Sequence, residues 1–430
     1  MRLAPWLPAG NAVEPGVPIG NLLHYDQWFL AWRAQSEQDF VSDPRRDVRA
    51  YDEALEHLGE ANSRRLIPTP ALACDLSMLR ANIERMARSA RDGGVALRPH
   101  VKSHKSAYVA KCQLEAGAVG LSFAKLSEAE VIVERLRTES DHSPISVLLT
   151  SPLVGRHAAE RAAALATRCD LLVVIDHCDG VDELEAAAVA ADATVSVLCD
   201  VDVGLGRTGV TGAREALAVV ERVNVATRLR FRGVQGYGGH LQHVVGREHR
   251  REATIASTKR LTLVIDELES AGFNVAIRSG GGTGTIGLDV EIGVLNELQT
   301  GSYVFMDREY RDALGEDPEG RFAQSLTLIT TVISANHDGY VTVDAGLKAM
   351  ATDAGVPVVV GHERTATYAF FGDEQGMVTC APAHPFRRGE RLELVPPHCD
   401  PTVDRYDAIW LVHDDVVLDL IEVTARGRSQ

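Results

Sequence analysis

Short apolar segments alternate with amphipathic helical segments from Pro68 to about residue 286, and this alternation restricts the fold more than any other feature of the chain. It indicates a parallel sheet whose strands are joined by crossover helices. The candidate strands are residues 71–74, 96–101, 119–124, 145–150, 171–175, 194–201, 229–235 and 275–277. Eight strands are the number that a closed α/β barrel requires, so we predict a TIM-type (β/α)8 barrel over residues 68–286. An open doubly wound sheet is the alternative.

The chain is longer than a barrel of about 250 residues, and the excess lies on both sides of it. Residues 287–430 contain short β-type segments separated by Gly, Asp and Pro, which predicts a C-terminal all-β domain. Residues 1–67 form an N-terminal extension with helical patterns near residues 25–34 and 49–58. No residue of this extension suggests a chemistry, and we expect it to pack on the main body or on a partner subunit.

Composition excludes several classes of partner. Acidic residues number 60 and basic residues 44, which gives a net charge of −16 and argues against binding to nucleic acid or to an anionic membrane. The seven cysteines include no CxxC pair, which is typical of reduced intracellular thiols. No apolar run approaches the length of about 18 residues that a membrane span needs, and the first residues do not resemble a signal peptide. We therefore expect a cytoplasmic protein.

A basic motif, RPHVKSHK, ends the second predicted strand and contains Lys102. Active sites of α/β barrels lie at the carboxyl ends of the strands, so Lys102 is expected over the barrel mouth. A lysine whose pKa is lowered by burial and by cationic neighbours can form a Schiff base with a carbonyl cofactor. A solvated basic turn is the alternative interpretation.

A glycine-rich segment, SGGGTGT at residues 279–285, follows the eighth predicted strand. Glycines let the backbone approach an oxyanion, while N–H groups and threonine hydroxyls donate hydrogen bonds to it. Phosphate sites of these barrels lie after the seventh and eighth strands. The segment therefore favours phosphate binding over a plain turn.

Further polar residues follow the sixth and seventh predicted strands. Arg207 lies in GLGRTG, and Gln235, Tyr237, His240 and His243 lie in and after the seventh strand. An arginine at the mouth suits a ring nitrogen or a carboxylate, and a tyrosine suits stacking on a bound ring. His243 suits a general base because the pKa of histidine lies near neutrality. Taken singly, each of these residues could also be structural.

The motif HCDPT near the C-terminus contains His398 and Asp400. In an extended segment, residues two apart face the same side, so His398 and Asp400 are expected to point together while Cys399 points away. An imidazole and a carboxylate suit Mn, Co, Mg or Zn with positions open for water and substrate. A polar turn ended by proline is the alternative.

These motifs together resemble the D-threonine aldolase and D-serine dehydratase family, which has the alanine-racemase-type fold of pyridoxal phosphate enzymes. RPHVKSHKS, VDVGLGRTGV, SGGGTGT, ELQTGSYVFMD, DAGLKAM and HCDPTVDRYD follow the family's order from about Thr69 to the C-terminus. The resemblance implies that Lys102 binds pyridoxal phosphate covalently, that Arg207 faces the pyridine nitrogen, that Tyr237 lines the ring, that Gly281, Gly282 and Thr283 hold the phosphate, and that His398 and Asp400 bind a divalent metal. It also implies a homodimer.

The reaction implied by the resemblance is retro-aldol cleavage of a D-threonine-like β-hydroxy amino acid to glycine and an aldehyde. In this interpretation His243 removes the proton of a hydroxyl group that the metal polarises. Dehydration to a 2-oxo acid and ammonia is the alternative. The resemblance associates His-x-Asp with aldolases and His-x-Cys with dehydratases, so Asp400 favours a lyase of the aldolase type. A non-catalytic pyridoxal phosphate carrier is less consistent with the chain, because such carriers need neither the metal motif nor a second domain.

Overall fold

The computed structural model describes residues 49–139, 144–315, 322–380 and 385–430. The chain divides into two compact units, Met1–Asp52 and Glu53–Gln430, and the fold described below is that of the second unit. The helix predicted near residues 25–34 lies outside the described residues. The helix predicted near residues 49–58 is present as α1.

The helices and strands alternate through the first part of the second unit, and strands predominate afterwards. The helices are α1 Arg49–Glu56, α2 Leu76–Asp92, α3 Ala107–Glu115, α4 Leu126–Glu139, α5 Arg156–Ala166, α6 Cys178–Ala190, α7 Ala213–Val225, α8 Arg247–Ser270, α9 Ile286–Ile292, α10 Arg308–Leu314 and α11 Cys399–Val403. The strands up to residue 300 are β1 Ala71–Asp75, β2 Ala96–Leu97, β3 Leu121–Phe123, β4 Ser146–Leu149, β5 Asp170–Ile175, β6 Val195–Asp200, β7 Leu229–Gly236, β8 Ile277–Gly280 and β9 Glu297–Leu298. The later strands are β10 Leu326–His337, β11 Tyr340–Val343, β12 Val358–Val359, β13 Ala366–Phe370, β14 Gly376–Cys380, β15 Arg391–Val395, β16 Ala408–His413 and β17 Val416–Glu422.

Eight of these strands form a parallel barrel. Their order is β2-β9-β8-β7-β6-β5-β4-β3. A parallel bridge between His100 and Ser122 joins the two end strands, and the N–H of Ser122 donates to the carbonyl of Pro99 at 2.8 Å. The sheet is therefore closed, which confirms the predicted barrel and excludes the open doubly wound sheet.

Two strands differ from the prediction. β1, the segment predicted to begin the barrel, pairs antiparallel with β10 and parallel with β16, so it belongs to the second sheet. The remaining barrel strand is β9, which is only two residues long and pairs with β2 and β8. Alternation does not reveal which sheet a strand joins, and a two-residue strand has no measurable periodicity. The strands of the two sheets are therefore not separated at residues 67 and 286, the predicted limits of the barrel.

Helix α2 illustrates why the helical segments form where they do. The side chain of Asp75 accepts a hydrogen bond from the N–H of Met78 at 2.9 Å and caps the first turn. The buried residues of α2 recur at helical spacing: Leu76, Leu79, Ile83, Met86, Ala87 and Ala90. The helix ends at Gly93, where an added Cβ would lie 2.7 Å from Val290. The sequence thus specifies the start, the buried face and the end of the helix.

The barrel interior combines an apolar cluster with a polar one. The apolar cluster consists of Leu148, Leu172, Val174 and Leu198, with Ile277 packed against it. The polar cluster contains the ion pair of Arg98 and Glu297 at 2.9 Å, whose side chains are each 5% exposed. Glu297 also accepts a hydrogen bond from Ser279 at 2.7 Å, which anchors the strand leading to the glycine-rich segment. Burial of a charged pair is tolerated here because both partners are hydrogen-bonded.

The second sheet has nine strands and confirms the predicted strand-rich C-terminal domain. Its order is β13-β14-β11-β10-β1-β16-β17, with β15 pairing with β10 and β12. Helix α11 lies between β15 and β16 and packs against the turn of 3-10 helix Val101–Ser103 that follows barrel strand β2. The second sheet therefore carries α11 to the mouth of the barrel. Among the described residues, no helix is both long and apolar enough to span a bilayer.

Candidate active site

Lys102 lies in the turn of 3-10 helix directly after β2, and its side chain meets the second sheet's helix α11. The Nζ atom of Lys102 donates a hydrogen bond to Oδ2 of Asp400 at 2.8 Å. The charge of Asp400 raises the pKa of Lys102, against the opposing effect of burial. The prediction of a lowered pKa for Lys102 is therefore wrong for this arrangement, because the sequence does not reveal a carboxylate that approaches from 298 residues away.

Asp400 is held as a charged carboxylate. Burial acts to raise its pKa, but Lys102 and His398 hold the pKa well below its usual range. Its Oδ1 accepts hydrogen bonds from the hydroxyl of Ser302 and from the thiol of Cys399, both at 3.3 Å. Asp400 is therefore available at neutral pH as a counterion for Lys102 or as a ligand for a cation.

The backbone of the HCDPT motif is not the extended segment that the sequence predicted. His398 is extended and precedes the helix, but Cys399–Val403 is α11. The proline at position 401 is compatible with the first turn of a helix, where no N–H is needed. His398 and Asp400 are therefore not related by strand alternation as predicted, but they lie close enough for each to shift the pKa of the other.

His398 is oriented by a residue that the sequence analysis missed. Its Nδ1 atom forms a hydrogen bond with Oδ2 of Asp353 at 2.7 Å. Burial lowers the pKa of His398, but Asp400 and Asp353 together raise it. In the neutral ring, a proton on Nδ1 shared with Asp353 leaves the lone pair on Nε2, which is the arrangement of a histidine ligand with a supporting carboxylate. Asp353 follows the DAGLKAM motif, but nothing in its spacing from His398 indicates this contact.

The described residues do not form a metal site from protein side chains alone. Among the described residues, no group of three or more His, Cys, Asp or Glu side chains is arranged to hold a metal ion. His398 and Asp400 supply an imidazole nitrogen and a charged carboxylate, which suit a divalent metal that takes its other ligands from water and substrate.

His243 lies near this cluster, in the turn after β7. Its Nδ1 atom lies 3.3 Å from Oε1 of Glu309, and its ring packs edge to face on Tyr310 at a centroid distance of 4.6 Å. The Nε2 atom is buried and has no hydrogen-bond partner among the described residues. Burial lowers the pKa of His243, and Glu309, His398 and Asp400 also act on it. The side chain is thus a neutral imidazole with one free nitrogen.

His240 is placed differently from His243, although both occur in GYGGHLQH. It lies in the turn Gly239–Leu241 and is exposed, and its Nε2 forms a hydrogen bond with the hydroxyl of Ser257 in α8 at 3.3 Å. Of the two histidines, the structure brings His243 to the cluster and leaves His240 against α8.

Arg207 and Tyr237 line a cleft next to Lys102. The guanidinium carbon of Arg207 lies 5.5 Å from the centroid of the Tyr237 ring, within the range of a cation–π contact. Tyr237 contributes to the raised pKa of Lys102, which places the two side chains close to each other. The cleft is lined by Asp200, Val201, Asp202, Leu205, Arg207, Thr208, Gln235 and Tyr237.

The loop that carries Arg207 is fixed by two aspartates. The hydroxyl of Thr208 donates to Asp200 at 2.8 Å, and the N–H groups of Gly204 and Gly206 both donate to Oδ1 of Asp202 at 2.9 Å. Asp200 is buried and also accepts a hydrogen bond from Gln235 at 2.8 Å. These bonds fix the backbone on both sides of Arg207, whose side chain is exposed.

His100, two residues before Lys102, is a second residue whose environment the sequence did not reveal. Its Nε2 forms a hydrogen bond with the hydroxyl of Thr150 at 3.1 Å. Burial, and then the charge of Lys102, lower the pKa of His100 to about 3. The ring is therefore neutral, and its residue forms the bridge with Ser122 that closes the barrel.

The glycine-rich segment forms a cradle at the end of β8. Gly281 has φ +70°, and an added Cβ would lie 2.5 Å from Asp289; an added Cβ at Gly282 would lie 2.4 Å from Gln242. The hydroxyl oxygen of Thr283 accepts a hydrogen bond from the N–H of Tyr303 at 3.1 Å, which leaves its hydrogen free to donate. Within the described ranges, the N–H groups of Gly281 and Thr283 donate no hydrogen bond. These free donors suit an oxyanion such as phosphate.

The turn Ser302–Val304 connects the cradle with the ion pair. Ser302 donates to Asp400, while the N–H of the next residue, Tyr303, donates to Thr283. This turn belongs to the ELQTGSYVFMD segment, which begins with β9. Ser302 and Tyr303, which are adjacent in the turn, thus fix the position of the Asp400 carboxylate relative to the glycine-rich cradle.

Models of two domain families match the chain. The N-terminal domain of alanine racemase matches residues 74–309, and a putative serine dehydratase domain matches residues 325–412. The first match covers the barrel, and the second covers most of the strands of the second sheet.

Individual proteins show similarity over most of their length. The chain is 35% identical to a D-threonine aldolase of Arthrobacter sp, over 85% of this chain and 94% of that protein. It is 34% identical to a 3-hydroxy-D-aspartate aldolase of Paracoccus denitrificans (strain Pd 1222), over 84% of this chain and 93% of that protein. The crystal structure of a D-threonine aldolase from Filomicrobium marinum superimposes with a TM-score of 0.81 at 34% identity, covering 85% of this chain and 98% of the other.

Proposed function

Since the chain belongs to the D-threonine aldolase and D-serine dehydratase family, with the alanine-racemase-type fold, we propose that it cleaves D-β-hydroxy-α-amino acids to glycine and an aldehyde. The observation that carries this proposal is the direct contact between Lys102 of the barrel and Asp400 of the His-x-Asp motif. The contact unites the lysine expected to bind the cofactor with the carboxylate expected to bind a metal.

Pyridoxal phosphate suits the chemistry of the glycine-rich cradle, of Lys102 and of the side chains that line the cleft. The free donors at Gly281 and Thr283 suit its phosphate, and Gly282 leaves room for Gln242 behind the loop. Tyr237 would line the ring and Lys102 would hold the carbonyl carbon. When bound, pyridoxal phosphate delocalises the charge that develops at Cα of the substrate.

Arg207 would act as a fixed positive charge at the ring nitrogen. A guanidinium group has donors but no acceptor, and it stays protonated at all physiological pH values. The bonds of the Asp200 and Asp202 side chains hold its loop in place. Arg207 therefore supplies no proton to the ring, and other groups must help to break the bond.

His243 would accept the proton of the substrate's β-hydroxyl group. Its Nε2 is buried and has no hydrogen-bond partner among the described residues, and the ring lies near enough to Lys102, His398 and Asp400 for their charges to act on it. Oε1 of Glu309, 3.3 Å from Nδ1, would favour the tautomer that carries its proton on Nδ1 and its lone pair on Nε2. The proton would move from the hydroxyl oxygen to Nε2 as the bond between Cα and Cβ breaks and the aldehyde forms. The electron pair of that bond would remain at Cα, which then takes up a proton to give glycine.

His398 and Asp400 would hold a divalent metal, with Mn, Co, Mg and Zn all compatible with these ligand types. Support comes from the charged state of Asp400 and from the hydrogen bond of Asp353 to Nδ1 of His398. A bound metal supplies Lewis-acid polarisation of the hydroxyl oxygen. A metal bound to Asp400 would compete with Lys102 for the same carboxylate, so the ion pair between Lys102 and Asp400 would be weakened when the metal is present.

Cys399 gives a specific reason to prefer the aldolase over the dehydratase reaction. Its thiol is buried, and burial raises its pKa well above the usual value. The thiol donates to Asp400 and the N–H of Cys399 donates to Asp307 at 2.8 Å. The thiol of Cys399 is thus protonated and next to the site. The second ligand of the motif, which is Asp in aldolases and Cys in dehydratases by the resemblance, is the carboxylate of Asp400.

The substrate we propose has a neutral β-substituent, as in D-threonine. Glu309 and Asp353 are the acidic neighbours of His243 and His398; Glu309 is partly exposed and Asp353 is exposed. A second carboxylate on the substrate would be repelled by these groups. We further propose that the chain functions as a homodimer and binds no nucleic acid.

A substrate panel tests this proposal. The D- and L-forms of phenylserine are incubated with the full-length protein, pyridoxal phosphate and Mn²⁺, with and without a chelator, and benzaldehyde is followed by its absorbance. We expect benzaldehyde from the D-forms only, and only without chelator. Equal rates with L-forms, or rates insensitive to chelator, would contradict the stereochemistry or the metal requirement, respectively.

A further inference from the structure

A buried carboxyl group lies directly behind the glycine-rich cradle. Asp289, on the short helix α9, is 7% exposed, and its Oδ2 accepts a hydrogen bond from the hydroxyl of Thr285 at 2.6 Å. An added Cβ at Gly281 would lie 2.5 Å from the same oxygen. The carboxyl group therefore touches the backbone of a residue that offers a free N–H group to an anion.

Side-chain hydrogen bonds connect this carboxyl group with the rest of the cradle. The hydroxyl oxygen of Thr285 accepts hydrogen bonds from the N–H of Gly282 and from Nε2 of Gln242, both at 3.3 Å. The carbonyl oxygen of the Gln242 side chain accepts from the N–H of Gly284 at 2.9 Å. Asp289, Thr285 and Gln242 thus hold two backbone N–H groups away from the anion site and fix the shape of the loop.

No positive charge compensates Asp289. Among the described residues, no lysine, arginine or histidine forms an ion pair with it. Helix α8 packs against α9 and presents Arg247 and Arg251, but both pair with Glu291 on the exposed side of α9, at 3.1 and 2.8 Å. The cradle itself contains only Gly, Ser and Thr and has no titratable side chain. The groups that face Asp289 are therefore neutral hydrogen-bond donors.

We propose that Asp289 is a positioning residue, which holds in place the glycine-rich loop that binds the cofactor phosphate. Its carboxyl group is neutral when the phosphate dianion is bound. The inference rests on the proposed function, since it requires the phosphate of pyridoxal phosphate to bind at Gly281–Thr283. An ionised carboxylate behind the loop would repel the dianion in a poorly solvated site. Where Asp289 is ionised before binding, one proton is taken up from the solvent onto its carboxylate as the phosphate enters.

The protonation state of Asp289 in the free protein makes this uptake measurable. Burial, opposed by the hydrogen bonds of Thr285 and Gly282, raises the pKa of Asp289 to about 7. Above neutral pH the free protein carries the ionised form, and phosphate binding must then shift the carboxyl group back to its neutral form. The affinity for the phosphate group is therefore expected to fall as the pH rises through 7.

The test compares pyridoxal phosphate with pyridoxal, which lacks the phosphate. Dissociation constants of both are measured with the cofactor-free full-length protein between pH 6 and pH 9, and their ratio isolates the phosphate contribution at each pH. In the wild type the preference for pyridoxal phosphate should fall by about tenfold over this range, which corresponds to a rise of one unit in the pKa of Asp289 on binding. In Asp289→Asn the preference should be independent of pH, apart from the titration of the phosphate itself near ~6, which all variants share.

Glu291→Gln is the matched control, because it removes an acid from the exposed face of the same helix and should keep the wild-type pH dependence. Equal pH dependence in the wild type and Asp289→Asn would overturn the inference. A protein that binds neither compound would instead contradict the proposed function.

A second measurement needs no variant. Calorimetric titrations at pH 8 in buffers of different ionisation enthalpy count the protons taken up on binding. With the pKa of Asp289 rising by one unit from about 7, wild-type protein at pH 8 should take up about 0.4 proton more with pyridoxal phosphate than with pyridoxal. Equal proton uptake for the two compounds would overturn the inference even if Asp289→Asn does not fold.

Discussion

The side-chain nitrogen of Lys102 lies 2.8 Å from Oδ2 of Asp400, although the two residues are 298 positions apart in the chain. Lys102 belongs to the barrel, and Asp400 belongs to a helix between two strands of the second sheet. The site is thus assembled from both sheets, and β1, which leads into the first barrel helix, also pairs within the second sheet. The barrel without the second sheet would lack the carboxylate that faces its lysine.

Asp400→Asn is expected to separate cofactor binding from turnover. The variant keeps the size of the side chain but removes the negative charge, so it should still bind pyridoxal phosphate at Lys102 while its affinity for Mn²⁺ and its kcat fall by at least about 100-fold. Cofactor absorbance, Mn²⁺ binding and turnover are measured on the same preparation. Wild-type kcat in this variant would remove Asp400 from the account.

Asp353→Asn is expected to weaken metal binding without altering cofactor binding. The substitution removes the carboxylate that holds Nδ1 of His398, and loss of such a supporting group lowers metal affinity by about 10- to 100-fold. The measurement is the dissociation constant for Mn²⁺ by titration calorimetry. Glu374→Gln, at an exposed acid of the same sheet domain that pairs with Lys348, is the control and should leave the affinity unchanged.

The two histidines of GYGGHLQH provide an internally controlled pair. His243→Gln should lower kcat by about 10²- to 10⁴-fold, the usual contribution of a general base, with little change in pyridoxal phosphate or Mn²⁺ affinity. His240→Gln removes only the hydrogen bond to Ser257 and should keep kcat within about twofold, because His240 does not contact the cluster. Similar losses in both variants would show that His243 acts through the structure of the turn.

Gly281→Ala tests whether the cradle must lie close to Asp289. The added Cβ meets Asp289 at 2.5 Å and the residue has φ +70°, so we expect a lower affinity for pyridoxal phosphate and a loss of about 1–3 kcal/mol in stability. Gly272 has φ +85° but open space around an added Cβ, so Gly272→Ala carries the same kind of backbone strain without the clash. Only Gly281→Ala should weaken cofactor binding, as measured by titration with pyridoxal phosphate.

The raised pKa of Asp289 should also be visible in the pH dependence of the protein's stability. Its pKa is about 7 in the folded protein and about 4 when unfolded, so between these values the folded state binds more protons than the unfolded state. This contribution makes stability fall as the pH rises from about 4 to 7 and then remain constant. Asp289→Asn lacks the contribution, so its Tm relative to that of the wild type should increase over this window. A Tm difference that does not change with pH would contradict the assigned pKa.

The barrel could be predicted from the sequence because strand and helix periods differ and because Gly and Asp mark several helix ends, as at α2. The sheet to which β1 belongs could not be predicted from the sequence, because β1 pairs with β10 and β16, which lie more than 250 positions away. The same limit applies to the site. Motifs indicated Lys102 and Asp400 separately, but the direction of the pKa shift of Lys102 follows from their contact.

The residues that support the site were less visible than those that line it. Asp353, Asp289 and Glu309 are ordinary acidic residues in sequence, and they gain a role only through the side chains that they contact. The strand pattern assumed for His398 and Asp400 was wrong because Cys399–Val403 is a short helix. Short segments of this kind adopt the conformation that their tertiary contacts favour.

The central claim is that this site cleaves the bond between Cα and Cβ of a D-β-hydroxy amino acid. The most direct measurement is the identification by NMR of all products formed from D-threonine by the full-length protein with pyridoxal phosphate and Mn²⁺. The account predicts glycine and acetaldehyde in equal amounts, with no ammonia. Formation of 2-oxobutyrate and ammonia without glycine would contradict it and would assign the dehydratase reaction to the same residues.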